Sequence, residues 1–257
     1  MVESITSVQN QHVKLANQLQ SRARARRKEN KIVLEGTRLI GDALAQGHTP
    51  EYVLYDPSRV DYELVAMLQS SKATLYEVTD EIIQNVSDTR NPQGIAAVFR
   101  LPQPALPDNP QRVLILDAIQ EPGNMGTILR TAGAAGVEVV ILAPHCVDPY
   151  NPKVLRSGMG AHFRVPVIEA DWNNIRGYCD DLQRYLATGT GTLSYTDVDW
   201  TSAWALVIGN EAHGAGEKAS NFTGEAVAIP MANAESLNAA IATGVILFEA
   251  QRQRLGN

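Results

Sequence analysis

The sequence predicts an α/β protein in two parts, and three observations carry that reading. Short apolar runs with strand character alternate with segments of helical spacing along the chain, the mark of layered α/β folds. Four prolines fall within Leu101–Pro110, a density that excludes helix and central strand and favours an extended, semi-rigid linker. Beyond it, Arg112–Leu116, Met125–Ala135 and Val137–Leu142 read as strand, helix and strand, a βαβ unit that calls for a parallel sheet. The predicted boundaries are 1–103 for a small α/β domain, 104–110 for the Pro-rich linker and 111–257 for a parallel-sheet α/β domain.

The first part opens with Ser4–Asn10, a loop rich in capping residues, after which Val13, Ala16 and Leu19 recur at helical spacing. The pattern predicts one helix running on through Ser21–Lys28. Lys31–Glu35, Tyr52–Tyr55, Thr74–Val78 and Gly94–Phe99 read as strands; Gly36–Ala45, Tyr62–Leu68 and Asp80–Val86 read as helices, the last capped by Asp80. The polar segment Thr89–Gly94 reads equally well as a plain connection and as a loop that reaches a substrate.

In the second part, Asn124 is the expected N-cap and Gly136 the expected C-cap of helix 125–135. Asn151–Ala161 is a loop leading into a short helix, Arg164–Ile168 a strand and Ile175–Tyr185 a helix. Leu186–Thr192 is a strand end with a Gly/Thr turn. Leu206–Ile208 and Ala226–Ile229 are core strands, and a helix over Leu237–Arg254, apolar at Leu237, Ile241, Val245 and Phe248, closes the chain.

A net charge of −6 argues against a protein that grips nucleic acid through overall positive charge. The distribution is uneven, however: Arg22, Arg24, Arg26, Arg27, Lys28 and Lys31 crowd one stretch with only Glu29 to balance them. That run reads as a phosphate-contacting arm, because intrahelical salt bridges need more acids. Cys146 and Cys179 form no ligand pair or redox motif and read as reduced thiols. The opening residues lack the features of a signal peptide, and no apolar run approaches membrane-helix length, so the expected location is cytoplasmic.

Two apolar runs late in the chain end in turns rich in Gly, Asn, Pro and Ser, Ala205–Gly214 and Ile229–Asn238. Such turns expose backbone groups suited to a small polar ligand. No G-x-G follows the strand at 112–116 and no acid ends the strand at 137–142, as a doubly wound dinucleotide domain requires. There is no P-loop and no G-x-S-x-G elbow, and the five histidines have no ligand spacing, so ATPase, hydrolase and metalloenzyme readings weaken. On helix 125–135, Arg130 shares its face with Gly126, Thr127, Gly133 and Ala134, small neighbours that leave the arginine as the reach of that face. From composition alone, a structural arginine paired to a carboxylate is the simpler reading.

These residues carry a resemblance. Asn124-x-Gly126-x-x-x-Arg130, Leu206–Glu211 with Gly214, and Ile229-Pro-Met231 with Ser236-Leu-Asn238, in that order, resemble the SpoU/TrmH branch of the SPOUT family of RNA ribose 2′-O-methyltransferases. The similarity covers 111–257, and Asn151–Ala161 with Phe163 resembles that family's substrate-side segment. Ile5-Thr-Ser-x-x-Asn10 and Glu35-Gly-x-x-Leu39 are similar to an L30e-like RNA-binding domain. Two departures stand out. Only Ala232–Ala234 separate Met231 from Glu235, one residue fewer than is common in the family, and Ala212 replaces a common glycine.

The resemblance implies a deep trefoil knot in the C-terminal stretch, an S-adenosylmethionine pocket inside it and a homodimer. It implies cofactor contacts from Thr188, Gly189, Thr190, Gly209, Asn210, Glu211, Ile229, Met231, Ser236 and Leu237. It places Arg130, Asn124, Ser236 and Asn238 at the reacting hydroxyl, and Lys153 and Arg156 on the RNA side with Arg22, Arg24, Arg26, Arg27 and Lys28. The sulfonium is already activated, so no metal is expected. Arg130 is either a base, which demands a guanidinium far from its ordinary protonated state, or a stabiliser of the developing oxyanion. Ser236 and Asn238 are expected to position Arg130 or the hydroxyl. The implied substrate is structured RNA, ribosomal in preference to transfer RNA. The rival readings are transfer to a base nitrogen and a non-catalytic RNA-binding protein that kept the fold.

Overall fold

A computed structural model describes residues 3–103, 105–210 and 214–256. Its first part runs β1 (Glu3–Ile5), α1 (Gln11–Ser21), α2 (Ala23–Glu29), β2 (Lys31–Glu35), α3 (Thr37–Ala45), β3 (Tyr52–Tyr55), α4 (Tyr62–Ser70), β4 (Thr74–Val78), α5 (Asp80–Val86) and β5 (Ile95–Arg100). Its second runs β6 (Arg112–Leu116), α6 (Pro122–Ala134), β7 (Val139–Leu142), α7 (Pro152–Gly158), a 3-10 turn at Ala161–Phe163, β8 (Val167–Glu169), α8 (Trp172–Tyr178), β9 (Gln183–Ala187), β10 (Leu193–Ser194), β11 (Trp204–Ile208), α9 (Glu217–Phe222), β12 (Glu225–Ala228) and α10 (Ala239–Leu255). The chain divides into Met1–Pro102 with Tyr150–Phe163, and Gln103–Pro149 with Arg164–Asn257.

The first unit is a mixed sheet in the order β1-β4-β3-β5-β2, with β5 antiparallel to both neighbours. Its strands are apolar without alternation because both faces are covered. Val33, Tyr52 and Leu54 enter one core with Val13 and Leu19 of α1 and Ile83 of α5. Ile32, Leu34, Val53 and Tyr55 enter the other with Ile40 of α3 and Leu68 of α4. Leu155 of α7 is buried in that second core, and Phe163 packs on the His48 ring at 4.5 Å. The segment 150–163 therefore packs with the first unit although its sequence neighbours on both sides lie in the second.

The expected single helix over 11–28 is two. Arg22 is extended, with φ −133° and ψ 114°, and separates α1 from α2. The cause is Arg26. Its side chain is 4% exposed and its Nη1 donates to the carbonyls of Leu19, at 2.6 Å, and Gln20, at 3.2 Å. These are end carbonyls of α1 with no helical partner, and the guanidinium caps them. Arg26 is thus removed from the RNA-contacting set: it is a buried cap. A second correction concerns α5, whose N-cap is Thr79; Asp80 lies in the first turn and pairs with Arg59.

The second unit is built on a seven-stranded sheet, order β10-β12-β9-β11-β6-β7-β8, parallel at every pairing. The helix expected over Ile175–Tyr185 stops at Tyr178, and Gln183–Ala187 is a strand between β12 and β11. Asp180 and Asp181 break the apolar spacing, and ladders on both sides of β9 override any helical preference of Gln183–Ala187. Strands β1 and β10 and helix α9 have no counterpart in the sequence reading. Pro104 of the linker lies outside the described residues; Pro107 accepts a hydrogen bond from the Tyr178 hydroxyl at 2.8 Å. Burial pushes the Cys179 thiol up to about 12 and the Cys146 thiol up to about 11, and Cys146 donates to the Leu116 carbonyl at 3.2 Å. Among the described residues no helix is long and apolar enough to cross a membrane.

The Arg26 cap gives a direct expectation. Arg26→Ala strands two buried carbonyls and lowers unfolding free energy by about 2 kcal/mol, whereas exposed Arg24→Ala stays within about 0.5 kcal/mol of wild type. Urea denaturation of the two variants checks this, and equal midpoints would return Arg26 to the surface set.

Candidate active site

Three adjacent parallel strands, β12, β9 and β11, end at Ala228, Ala187 and Ile208, so the turns that follow leave the same edge of the sheet. In open α/β sheets this carboxyl edge is where ligands bind. After β9, Thr188 donates its N–H to the Val227 carbonyl at 2.9 Å, and its hydroxyl lies 3.2 Å from that of Thr190. A Cβ at Gly189 would stand 3.3 Å from the Glu235 carbonyl oxygen, which puts this turn against the loop that precedes α10. A Cβ at Gly191 would stand 2.7 Å from the Val227 carbonyl carbon, too close for any side chain.

After β11, Gly209 is packed still more tightly. A Cβ there would lie 2.6 Å from the Gly214 carbonyl carbon and overlap the Ala215 nitrogen. Asn210 and Gly214 exchange backbone hydrogen bonds of 3.0 and 2.9 Å. Glu211 and Ala212 lie outside the described residues. The loop is tied to the end of β6 twice: the Asn210 amide donates to the Ala118 carbonyl at 2.8 Å, and the Gly216 N–H donates to Asp117 Oδ2 at 2.7 Å. The sequence reading missed Asp117, a buried carboxylate whose partner is ninety-nine residues away. After β12, Ile229 and Met231 are half-buried, while residues 232–238, with Ser236 and Leu237, are exposed.

Helix α6 begins three residues earlier than expected. Its N-cap is Glu121, whose Oε2 accepts the Asn124 N–H at 2.6 Å, and Pro122 occupies the first turn. Asn124 is therefore not the cap, and its side chain has another task. Its Oδ1 accepts from the Asn238 amide at 3.0 Å. Asn238 in turn caps α10, its Oδ1 accepting the N–H groups of Ala240 at 2.9 Å and Ile241 at 3.3 Å. The structure thus brings together two expected site residues from 114 positions apart. It does not join Arg130 to them: Arg130 is exposed, and among the described residues no hydrogen bond or ion pair engages it. The carboxylate partner that composition suggests for Arg130 is absent among the described residues, and Asn238 holds Asn124 rather than Arg130.

The basic residues divide. Arg22, Arg24, Arg27 and Lys28 are exposed along the first helices, Lys28 3.4 Å from Glu29. Lys153 and Arg156 sit on α7, in the first unit, where Arg156 pairs with Asp88 at 2.8 Å. Among the described residues no group of three His, Cys, Asp or Glu could hold a metal ion.

The edge formed by the three turns fits an adenosyl ligand. Glycines leave backbone groups open at Gly189 and Gly209, the Thr188 and Thr190 hydroxyls border them, and half-buried Ile229 and Met231 offer an apolar wall. Comparison with known proteins agrees. The profile of the SpoU rRNA Methylase family matches residues 111–248, and that of the MRM3-like substrate binding domain matches 10–97. The chain belongs to the SpoU rRNA methylase family. It is 33% identical over 254 residues to the 23S rRNA (guanosine(2553)-2′-O)-methyltransferase RlmP of Bacillus subtilis, covering 96% of this chain and 98% of that one. It is 34% identical to the mouse mitochondrial rRNA methyltransferase 3, covering 89% of this chain and 69% of the relative. Among solved structures, an AdoMet-bound rRNA methyltransferase from Sinorhizobium meliloti superposes with a TM-score of 0.85 at 30% identity, over 98% of each chain. The AdoMet complex of the SpoU methyltransferase AviRb from Streptomyces viridochromogenes gives 0.89 at 26%, over 97% and 100%.

The two tasks of Asn238 separate by substitution. Asn238→Asp keeps the acceptor that caps α10 and loses the amide that reaches Asn124; Asn238→Ala loses both. The Ala variant is expected to lose about 1 kcal/mol of stability and the Asp variant less than half of that. Both are expected to weaken methyl transfer, read alongside thermal melts. An Asp variant with full activity would show that the Asn124 link is dispensable.

Proposed function

We propose that the protein transfers a methyl group from S-adenosylmethionine to a ribose 2′-hydroxyl of ribosomal RNA. The observation that carries this reading is the common edge of β12, β9 and β11, where the glycine-bearing turns after β9 and β11 and the glycine-free turn after β12, which ends at the Asn124–Asn238 link, all emerge. S-adenosylmethionine bound there supplies an electrophilic methyl group. Thr188–Thr190, Gly209, Asn210, Ile229, Met231, Ser236 and Leu237 are proposed to hold it, chiefly through backbone groups. The family membership and the named activities of RlmP and its mitochondrial relatives support the reaction class and the ribosomal substrate.

The chain's own part in the reaction is orientation and charge. A ribose hydroxyl is a weak nucleophile until its proton is leaving, and the oxyanion that develops needs a positive partner. Arg130 is proposed for that role: it is exposed, lies on a helix face of small residues, and holds no acid among the described residues that would neutralise it. These features favour electrostatic stabilisation over proton abstraction. Asn238 links the first turn of α10 to that of α6, so the loop that carries Ser236 and the helix that carries Arg130 share an anchor. The trefoil knot and cytoplasmic operation, beside the ribosome, belong to the same reading. The SpoU-type neighbours and the late turns after β11 and β12, followed by a helix packed along α6, support the knot.

A homodimer completes the proposal. The buried stripe of α10 is Ala239, Ala240, Thr243, Ile246, Leu247 and Ala250, packed inward. A second apolar stripe, Leu237, Ile241 and Phe248, faces out, with Ile241 57% and Phe248 50% exposed. Ile241 and Phe248, seven residues apart, fall on one face of α10, and Leu237 lies just before the helix begins.

Two expectations follow from this arrangement. Arg130→Ala lowers transfer of labelled methyl to 23S rRNA by about 100- to 1,000-fold, with cofactor affinity changed less than about twofold; a near-normal rate removes Arg130 from the site. Ile241→Glu shifts the protein from dimer to monomer in light scattering after size exclusion; a wild-type monomer rejects the dimer outright.

A further inference from the structure

Loop 87–94 of the first unit is fixed at nearly every residue. Glu35, at the end of β2, accepts the Ser87 hydroxyl at 2.5 Å, the Asp88 N–H at 3.2 Å and the Thr89 hydroxyl. Arg156 of α7 donates to Asp88 at 2.8 Å. Arg59 donates to the Pro92 carbonyl at 2.6 Å, and the Gln93 side-chain oxygen accepts the Thr37 N–H, at the start of α3, at 2.9 Å. The Gly94 carbonyl accepts the Asp56 N–H at 2.8 Å, and Gly94 itself has φ +84° with the Arg59 Cβ against it. Among the described residues of this loop, only Arg90 and Asn91 make no hydrogen bond or ion pair, and both are exposed.

Fixing so much irregular chain costs conformational entropy, and here the result is two planar donor groups held out at a rigid tip. The tip itself carries the Arg90 charge. Of the bordering acids, Asp88 pairs with Arg156 and Asp80 with Arg59, while Glu35 is taken up by hydroxyls and an N–H. Arg38, next to the pinned Thr37, is exposed, and Lys153, one turn before Arg156 on α7, is exposed. Pro92 is buried, and among the described residues the unit's exposed large apolar side chains, Tyr62 and Met67, lie on α4. A rigid, positive, apolar-poor tip suits phosphate and base-edge contacts and lacks the apolar centre of a protein-docking surface.

We propose that Arg90 and Asn91, with Arg38 and Lys153 beside them, form an RNA-docking surface, Arg90 binding a phosphodiester and Asn91 a base edge or ribose hydroxyl. This rests on the reading of the chain as an RNA methyltransferase. It moves the principal RNA contact of the first unit from the Arg22–Lys28 run to the loop and makes α7 part of the same platform.

The test uses the full chain and deproteinised 23S rRNA, with filter binding at several salt concentrations, cofactor titration and thermal melting in parallel. Arg90→Ala is expected to weaken RNA binding about five- to tenfold and to reduce the salt slope by about 0.7 to 0.9, the loss of one phosphate contact. Cofactor affinity and melting temperature stay at wild-type values. Arg90→Lys restores the slope and part of the affinity. Arg90→Ala and the Arg38→Ala/Arg90→Ala pair both binding like wild type, in a protein that binds and methylates RNA, overturns the surface alone. A wild-type protein that neither binds nor methylates RNA overturns the surface and the methyltransferase reading together.

Discussion

Parallel pairing of β12, β9 and β11 is the constraint on which the second unit depends. Parallel strands cannot be joined by tight hairpins, so the chain must leave one end of each strand and return at the other. All the carboxyl ends then share an edge, and the turns there pack closely against neighbouring backbone. Gly209 lies against Gly214 and Ala215, Gly191 against Val227, and Gly189 close to Glu235. The glycines are consequences of that crowding, and they leave backbone groups open where side chains would otherwise cover them. A site made this way needs no ribose-binding acid and no phosphate loop, which is why the dinucleotide patterns are missing from a domain that binds a nucleoside-like ligand in its relatives.

How much of this was legible in the sequence depended on whether the deciding interaction was local. Strands Lys31–Glu35, Tyr52–Tyr55, Thr74–Val78 and Arg112–Leu116 match the expected bounds, because apolar runs bracketed by turn residues identify themselves. The late turns were legible for the same reason. The failures involve side-chain and ladder partners that apolar periodicity does not register, several of them far along the chain. Arg26 sits in a basic run that looks solvated, and only the two carbonyls at the end of α1 reveal its role. Gln183–Ala187 has no strong preference, and two flanking ladders decide it. Asp117 and Glu121 carry a backbone donor each, a pattern no spacing rule announces. Asn124 was expected to be the N-cap of its helix, but Glu121 has that place, and its partner Asn238 is far along the chain.

Helix α10 shows how a correct periodicity can point to the wrong surface. Leu237, Ile241, Val245 and Phe248 recur at helical spacing and look like a core stripe, yet Ile241 and Phe248 are exposed. The packed stripe is Ala239, Ala240, Thr243, Ile246, Leu247 and Ala250, and α10 packs along α6, with Gly244 facing Thr131. Thr243 is fully buried there only because its hydroxyl donates to the Ala239 carbonyl at 2.7 Å. A helix apolar on two faces has two surfaces to cover, and one chain covers only one of them. Ile241 and Phe248 are left for a second surface, and large side chains are what interfaces use.

Helix α7 extends the same logic to the RNA side. By sequence it belongs between β7 and β8 of the methyltransferase sheet, yet its apolar residue Leu155 is buried with Ile40 and Leu68 of the first unit. A seven-residue helix has little stability of its own and takes its position from whatever core accepts it. The Arg156–Asp88 pair then fixes it to loop 87–94, and Glu35 fixes that loop to β2. Surface ion pairs contribute little energy singly, so the value of this one is geometric: it orients a loop already anchored at Glu35, Arg59 and Gln93. The segment that resembles the family's substrate side and the loop that presents Arg90 are thus parts of one rigid body within the first unit.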